Sequence, residues 1–341
     1  MKKYGLFIIT FFFFLTGCTL GAPSENEITL FTQRHYDVDQ QLYDRFFEET
    51  GIKVNVVSAN ENELMNRLET EGEDTFADIL MMADVGRLHI AAQKGLLQPV
   101  SSTQINENIP AQLRHPEGLW FGLTKRARIL VYHPDRVDPS ELSTYQALTE
   151  PQWQGRVVTR TSTNVYSQSL TASMIAIYGE ENTRLWIRGL VNNLAHSPRG
   201  NDRDQAKQVM SGEADVAIMN TYYMGRMIFS ADAFEKEVGE TLRVFFPNQD
   251  TTGTHINLSA AGVTRHAKNV EGAILFLEFL SGETAQGIFA SANFEYPVNP
   301  RVEMDDLLKS WGPFKAQDIN LALLGIHAER AVILMDEEGW E

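Results

Sequence analysis

The chain has 341 residues, of which 43% are hydrophobic, so it is long enough to form two domains of ordinary size. Its 29 basic and 45 acidic residues give a formal net charge of −16, which argues against a nucleic-acid partner because nucleic acid selects basic surfaces. The single cysteine, Cys18, excludes an intrachain disulfide and a thiolate metal site in the folded body.

The first 18 residues have the features of a secretion signal. Lys2 and Lys3 precede an apolar run over residues 5–15, and the sequence Leu-Thr-Gly-Cys follows at residues 15–18. The apolar run is shorter than the roughly 20 residues that a transmembrane helix needs and has the length found in signal peptides. We therefore predict a signal peptide over residues 1–17.

Leu-Thr-Gly-Cys also resembles the lipobox of bacterial lipoproteins. The resemblance implies that Cys18 carries a lipid and becomes the first residue of the mature chain, with residues 18–27 as a tether. It further implies an extracytoplasmic, membrane-anchored protein, in the periplasm or on the outer face of the plasma membrane.

Strands and helices alternate over the first third of the mature chain. Apolar periodicity predicts strands over residues 28–32, 52–57 and 76–82, with helices over residues 39–49, 61–71 and 84–95. Alternation of this kind predicts an α/β fold with a parallel, doubly wound sheet.

A second α/β region is predicted further along the chain. Residues 119–123 and 127–132 are expected to form paired strands that cross into a second domain. A strand over residues 153–158 precedes a helix ending at 178 and another over 180–191. The remaining predictions are helices over 203–210 and 270–280, and strands over 216–219, 243–246 and 256–263.

Three segments with tyrosine follow predicted strands and open a helix or loop. They are Arg34-His35-Tyr36, Asn164-Val165-Tyr166 and Asn220-Thr221-Tyr222-Tyr223. Ligands of open α/β sheets bind at the carboxyl ends of strands, where these segments lie. Phenolate is a hard oxygen donor, so four phenols with one imidazole favour a hard trivalent ion over borderline divalent ions.

Ionisation of the phenols needs the charge of such an ion. A free tyrosine titrates near pH 10, but a bound Fe(III) can deprotonate its ligands. Four phenolates around Fe(III) leave about one negative charge, and Arg126, Arg128 and Arg226 are the candidates to balance it. Taken one by one, these tyrosines and His35 would more often be packing or capping residues.

Taken together, the three segments resemble the ferric-iron-binding proteins of bacterial ABC importers, in the tyrosine-rich branch of their transferrin-like family. Further landmarks are residues 76–80, 125–128 and 295–300. The resemblance implies an α/β, two-lobe periplasmic-binding-protein fold with the ligand cleft between the lobes. Residues 28–118 and about 247–300 would form lobe 1, residues about 119–246 lobe 2, and residues 301–341 a helical segment packing on both.

The resemblance also implies a ligand set for Fe(III). The ligands would be His35 and Tyr36 from lobe 1 and Tyr166, Tyr222 and Tyr223 from lobe 2, with Arg126, Arg128 and Arg226 around them. Some relatives have a glutamate, usually with an exogenous anion, where this chain has Ala83. We therefore expect that no exogenous anion is required. The implied partner is an ABC permease, with the protein a monomer held to the membrane through Cys18.

Two other functions remain open at the level of sequence. The same fold could bind another solute, such as a polyamine, a sugar or an oxyanion. An enzyme is disfavoured, since the chain lacks a Gly-x-Ser-x-Gly elbow, a His-Glu-x-x-His helix and a phosphate-binding loop. Asp202 and Asp204 are expected at a helix start, and the histidines other than His35 are expected to be structural.

Overall fold

The computed structural model of the protein describes residues 26–34 and 36–341. The predicted signal peptide, the lipidation site Cys18 and the predicted ligand His35 lie outside the described residues. Within the described part, none of the helices combines the length and the apolar character needed to span a membrane.

In the described part of the chain, nine strands form one strongly curled mixed sheet. The strands are β1 (Glu27–Thr32), β2 (Lys53–Ser58), β3 (Ile79–Met82), β4 (Phe121–Tyr132), β5 (Val157–Val158), β6 (Val216–Asn220), β7 (Arg243–Phe245), β8 (Ile256–Val263) and β9 (Tyr296–Pro297). Their order is β2-β1-β3-β8-β4-β6-β5, and β7 and β9 also pair with β4.

Helices cover the sheet and join the strands. They are α1 (Asp37–Thr50), α2 (Glu61–Glu71), α3 (Val85–Gln93), α4 (Thr103–Asn108), α5 (Val165–Asn192), α6 (Asp202–Ser211), α7 (Thr221–Ile228), α8 (Ala233–Thr241), α9 (Val270–Ser281), α10 (Glu283–Asn293), α11 (Asp306–Ser310), α12 (Ala322–Ile326) and α13 (Ala328–Glu337). We refer to β1–β3 with α1–α3, α9 and α10 as the first half, and to β5–β7 with α5–α8 as the second half.

The predicted parallel sheet is correct only at its two ends. Strand β1 runs parallel to β2 and β3, and β5 runs parallel to β6. The central pairs β3–β8, β8–β4 and β4–β6 are antiparallel. The reason is topological: the chain enters the second half along β4 and returns to the first along β8, so these strands run in opposite directions.

The prediction of two paired strands over residues 119–123 and 127–132 is wrong, because both belong to the continuous strand β4. The polar residues between them resemble a turn in sequence, but they are strand residues, and Thr124 and Arg126 have buried partners. Thr124 is buried, and its hydroxyl donates to Glu295 Oε1 at 2.8 Å. The first part of β4 pairs with β8 and the second with β6, so β4 joins the two halves.

Two predicted strands are shorter than expected. The strand predicted from residue 76 begins at Ile79; Asp78, just before it, accepts side-chain hydrogen bonds from the backbone N–H groups of Thr29, Lys268 and Asn269. The strand predicted from residue 153 is limited to β5, because Trp153 lies in a short 3₁₀ turn.

Helix α5 is two helical segments joined at a kink. Gly179 has φ 77° and ψ 166°, a backbone conformation that interrupts the helix and that glycine adopts without steric cost. This confirms the prediction of one helix ending at residue 178 and a second over 180–191. The first segment starts immediately before Tyr166 and so holds that side chain at the junction of the halves.

The segment after residue 301 packs across helices of both halves. Helix α12 contacts α3 of the first half and α5 of the second, while α13 packs along α5. The approach to α3 is close: a Cβ atom on Gly325 would lie 2.6 Å from the carbonyl oxygen of Gly86. The exact lobe boundaries given above stay predictions.

Candidate metal centre

Tyr222 and Tyr223 occupy the first turn of α7, directly after β6 ends. The hydroxyl of Thr221 accepts a hydrogen bond from the Ala127 N–H at 3.3 Å, which ties this turn to β4. Adjacent residues of a helix point about 100° apart, so one ring could have faced water. Instead the two ring centroids are 4.2 Å apart with 32° between their planes, and Tyr222 is 1% exposed.

The phenol oxygens of two tyrosines, one from each half, lie next to the oxygen of Tyr222. Tyr36, at the N-cap of α1, donates its hydroxyl to Tyr222 Oη at 3.3 Å. Tyr166, in the first turn of α5, places its own oxygen 3.1 Å from the same atom. Tyr36 belongs to the first half, and the other tyrosines belong to the second. The structure therefore brings together the four predicted tyrosines where the halves meet.

The environment keeps the phenols of Tyr36, Tyr222 and Tyr223 protonated when no cation is present. Burial raises the pKa of Tyr36, Tyr222 and Tyr223, and the neighbouring phenol of Tyr166 raises it further in all three cases. Arg34 acts in the opposite direction on Tyr36, and Asp202 adds to the increase at Tyr222 and Tyr223. Only a large positive charge placed among the oxygens would reverse this preference.

Metal affinity at this site is expected to increase with pH. Because the pKa values are raised, the metal-free phenols hold their protons at neutral pH, and each phenolate ligand that forms releases one proton. The affinity should rise by up to about tenfold per pH unit for every proton released. Competition for Fe(III) against a chelator of known protonation constants, between about pH 5.5 and 7.5, would measure this. An affinity independent of pH would contradict phenolate ligation.

Three arginines surround the ring of Tyr166. The guanidinium carbons of Arg126, Arg128 and Arg160 lie 5.2, 5.8 and 6.0 Å from its centroid. Buried Asp202, the first residue of α6, pairs with Arg128 Nη1 at 2.5 Å and with Arg160 Nη1 at 3.0 Å. The predicted helix start at Asp202 is confirmed. The Asp202 carboxylate partly neutralises both Arg128 and Arg160.

Two further arginines flank the ring of Tyr36. The guanidinium carbons of Arg34 and Arg226 lie 4.8 and 5.2 Å from its centroid. Arg34 is buried and paired, with Nη2 at 3.0 Å from Asp39 Oδ1 and 3.2 Å from Glu295 Oε2. Arg226 comes from α7, so it reaches from the second half to a tyrosine of the first.

Of the five arginines beside the Tyr166 and Tyr36 rings, Arg126 and Arg226 are the two that form no ion pair with a carboxylate among the described residues. Neither of them forms a salt bridge to any side chain in the described ranges. Arg126 instead donates through Nη2 to the backbone carbonyl of Ala83. Asp84, the next residue, caps α3 by accepting from the Arg87 N–H at 3.0 Å. The two unpaired guanidinium groups therefore face Tyr166 and Tyr36 respectively.

The sequence did not indicate the carboxylates that fix these arginines. Asp39 and Glu295 hold Arg34, and Asp202 holds Arg128 and Arg160. Arg34 lies in one of the tyrosine segments, which was the available signal that it belongs to the site. Its partner Glu295 is 261 residues away, and no local pattern links them. Among the described residues, no group of three or more His, Cys, Asp or Glu side chains could hold a metal ion.

Phe294 of the first half packs directly against the helix that carries Tyr222 and Tyr223. Its backbone is left-handed, with φ 54°, an uncommon conformation for a residue with a side chain. Its ring stacks on Phe229 with centroids 5.1 Å apart and 9° between planes. A Cβ atom on Gly225 would lie 2.4 Å from Phe294 Cγ, so the contact requires glycine at that position.

Gly225→Ala is expected to weaken metal retention without removing a ligand. The added methyl group would displace the rigid base of the Phe294 side chain, which holds α7 against the first half. We expect faster metal release with an unchanged absorption maximum of the bound complex, measured by stopped-flow transfer to a chelator. The control Gly287→Ala has open space at its Cβ and should release metal at the normal rate. Equal release rates in both variants would rule out a role for this contact.

Two α/β halves whose tyrosines and arginines meet at a shared junction define a protein of the binding-protein class, which holds its ligand between two lobes. Residues 32–287 match the family model of the bacterial extracellular solute-binding proteins, and the chain belongs to this family. Membership confirms the predicted two-lobe fold class and the prediction of a binding protein rather than an enzyme.

Several similar proteins carry names related to iron. Iron uptake protein A1 of Synechocystis sp. is 46% identical over 317 residues, covering 93% of this chain and 88% of that protein. The major ferric iron-binding protein of Neisseria meningitidis is 25% identical over 327 residues, covering 94% and 95%. A Trichodesmium protein solved with iron and citrate ligands has a TM-score of 0.88 at 45% identity, covering 92% of this chain and all of that one. These relatives confirm the resemblance to ferric-iron-binding proteins.

Proposed function

We propose that this protein captures Fe(III) between its two halves and delivers it to the permease of an ABC importer. The observation that carries the proposal is the convergence of Tyr36 and Tyr166 on the Tyr222 oxygen, at 3.3 and 3.1 Å, with the Tyr223 ring centroid 4.2 Å from that of Tyr222. Hard phenolate donors suit a hard trivalent ion. The iron-related names of relatives that cover nearly the whole chain support the same ion.

The proposed ligands are the four tyrosines together with His35. Four phenolates around Fe(III) leave about one negative charge, and the unpaired guanidinium groups of Arg126 and Arg226 lie beside two of the rings to balance it. Arg128 also lies beside the Tyr166 ring, but it contributes less to balancing the negative charge because it forms an ion pair with Asp202. Each arginine is proposed to stabilise the phenolates without contacting the metal.

An exogenous anion is not required in this proposal. Five protein ligands leave at most about one position of an octahedral sphere to fill. The cavity beside Arg126, Arg128 and Tyr166 has a volume of about 10 Å³. That is room for roughly one water molecule, so this cavity between Tyr166 and its arginines is too small for a carbonate ion.

Metal binding would favour the closed arrangement of the halves. Tyr36 and the other three tyrosines come from different halves, so they meet around one ion only when the halves are together. A ligand that binds the closed arrangement more tightly than the open one shifts the population toward the closed arrangement, to an extent set by the ratio of the two affinities. The closed form is then the form that a permease would recognise as loaded.

The proposed location is the outer side of the cytoplasmic membrane. The sequence features that support it are the signal peptide over residues 1–17 and the lipobox-like Leu-Thr-Gly-Cys that ends at Cys18. A lipid on Cys18 would hold the protein, as a monomer, near its permease. Mass spectrometry of the membrane fraction, comparing the native chain with Cys18→Ser, tests this attachment.

Absorption spectroscopy tests the function itself. Metal-free protein should bind one Fe(III) and gain a visible tyrosinate-to-iron charge-transfer band, whereas Ga(III), of equal charge, should bind without colour. A colourless ferric complex would refute the tyrosine site. Calorimetry in chelated buffer with spermidine, a sugar and phosphate covers the alternative solutes, and tight binding of one of these instead of Fe(III) would replace the iron proposal.

A further inference from the structure

A second cavity lies on the opposite face of the strands that join the halves. Its volume is about 450 Å³, within the range of roughly 300–1,000 Å³ that is typical of small-molecule sites. Lys125 lines it from β4, Ile256 from β8 and Tyr296 from β9. Successive side chains of a strand point to opposite faces, so Arg126 points to Tyr166 and Lys125 points away from it into this cavity.

Three hydrogen-bond donors at this cavity have no partner. The Lys125 ammonium makes no hydrogen bond or salt bridge within residues 26–34 and 36–341. The Tyr296 hydroxyl is buried without a partner, although the residue is only 5% exposed. Gln317 accepts a hydrogen bond from His255 Nδ1 at 3.1 Å, and its Nε2 atom has no partner. Buried donors in folded proteins are normally paired, so the Tyr296 hydroxyl and the Gln317 amide lack the acceptor that such groups usually have.

The charge state of Lys125 is consistent with such a site. Burial lowers the pKa of its amine, because the charged form loses hydration and gains no nearby carboxylate. An anion bound beside the amine would offset that loss. The bound anion would then stabilise the charged ammonium form of Lys125.

The rest of the lining restricts what could bind. Met304 and Phe314 give the cavity apolar walls, next to Ile256. Asp318 also lines it and is exposed, so it places a negative charge at the rim. An acidic rim disfavours ligands with two or more negative charges, and apolar walls disfavour small hydrated anions such as phosphate.

We propose that this cavity binds an organic monocarboxylate with an apolar body. The carboxylate accepts hydrogen bonds from Lys125 Nζ and Tyr296 Oη and, at its other oxygen, from Gln317. The apolar body packs against Met304, Phe314 and Ile256. Tyr296 and Phe314 also pack in the hydrophobic cluster around Tyr222, so this cavity and the proposed iron centre share packing residues but no proposed ligand. Binding of the carboxylate would not depend on the identity of the metal.

Calorimetry with a matched pair of probes tests the proposal on the metal-free full-length protein. Hydrocinnamate carries the carboxylate, and hydrocinnamamide has the same body without the charge. We expect saturable binding of hydrocinnamate and at least about tenfold weaker binding of the amide, since hydrogen bonds to charged groups are the stronger ones. Equal binding of the two probes, or binding of neither, would overturn the proposal.

Three variants locate the binding. Lys125→Met should abolish binding of hydrocinnamate, and Tyr296→Phe should weaken it. Lys53→Met, at an exposed position of the edge strand β2, should bind normally. Lys125→Met should still give the coloured Fe(III) complex, which separates failure of this proposal from failure of the iron site. Retained binding in both Lys125→Met and Tyr296→Phe would exclude the cavity.

Discussion

Tyr222→Phe is expected to abolish tight Fe(III) binding while leaving the fold intact. The Tyr222 oxygen lies 3.3 Å from that of Tyr36 and 3.1 Å from that of Tyr166, so its loss removes the central donor of the cluster. Phenylalanine keeps the ring that packs with Phe294, Tyr296 and Leu308. Loss of a residue that only supports a metal ligand costs about 10–100-fold in affinity, so loss of the ligand itself should cost more than about 100-fold.

Chelator competition and the charge-transfer band measure this loss. Tyr178→Phe is the control, because it removes the same hydroxyl from a half-buried tyrosine whose oxygen lies 3.1 Å from that of Thr252, away from the metal centre. The control should keep the affinity and the colour of the unmodified protein. Combining Tyr222→Phe with Tyr223→Phe should remove the band completely. Unchanged affinity in Tyr222→Phe would show that iron binds elsewhere.

Arg34→Met is expected to lower the free energy of unfolding by about 3–5 kcal/mol, which is the usual cost of leaving a buried charge without its partner. Arg34 is 3% exposed and holds Asp39 and Glu295, which are themselves buried. Its Nη1 also donates to Ser259 of β8 at 2.7 Å. The substitution therefore leaves two carboxylates of the first half buried without their cation.

The pH dependence of this loss follows from Glu295. Burial raises the pKa of Glu295, but Arg34 and hydrogen bonds from Asn293 and Thr124 outweigh burial and hold it below its ordinary value. A depressed pKa contributes stability above the unfolded-state pKa of about 4.3, and this stability is lost as the pH falls through the folded-state value. Without Arg34 the pKa should lie above its unfolded value, so the variant's deficit should shrink on acidification.

Urea unfolding of the metal-free protein at about pH 7 and pH 5 measures both effects. The triple variant Arg34→Met, Asp39→Asn, Glu295→Gln removes the stranded charges and should recover part of the lost stability. If the triple variant were less stable than Arg34→Met, the buried carboxylates would not be the cause. A deficit that is equal at both pH values would show that Glu295 does not titrate differently in the variant.

Local sequence patterns predicted the ends of the sheet correctly and its centre incorrectly. Strands β1, β2 and β3 alternate with helices and are short and apolar, so periodicity identifies them. Strand β4 contains Thr124 and Arg126, which look like turn residues until their buried partners are known. Those partners are 171 and 43 residues away, so the continuity of β4 depends on tertiary contacts.

The same distinction applies to the metal centre. The tyrosines could be proposed from sequence because each follows a strand, and strand ends gather at the edge of an α/β sheet. The roles of Arg34 and Arg160 could not, because each is fixed by a distant carboxylate, Glu295 or Asp202. The packing of Phe294 on Gly225 could not be predicted either, because no local sequence pattern indicates that this glycine contacts a distant residue.

The most direct measurement is a crystal structure of the Fe(III)-loaded protein with anomalous data on both sides of the iron edge. The proposed function predicts one strong anomalous peak between the two halves, bonded to the oxygens of Tyr36, Tyr166, Tyr222 and Tyr223 and to His35. An iron peak outside the tyrosine cluster, or a peak within it held without phenol oxygens, would contradict the proposal.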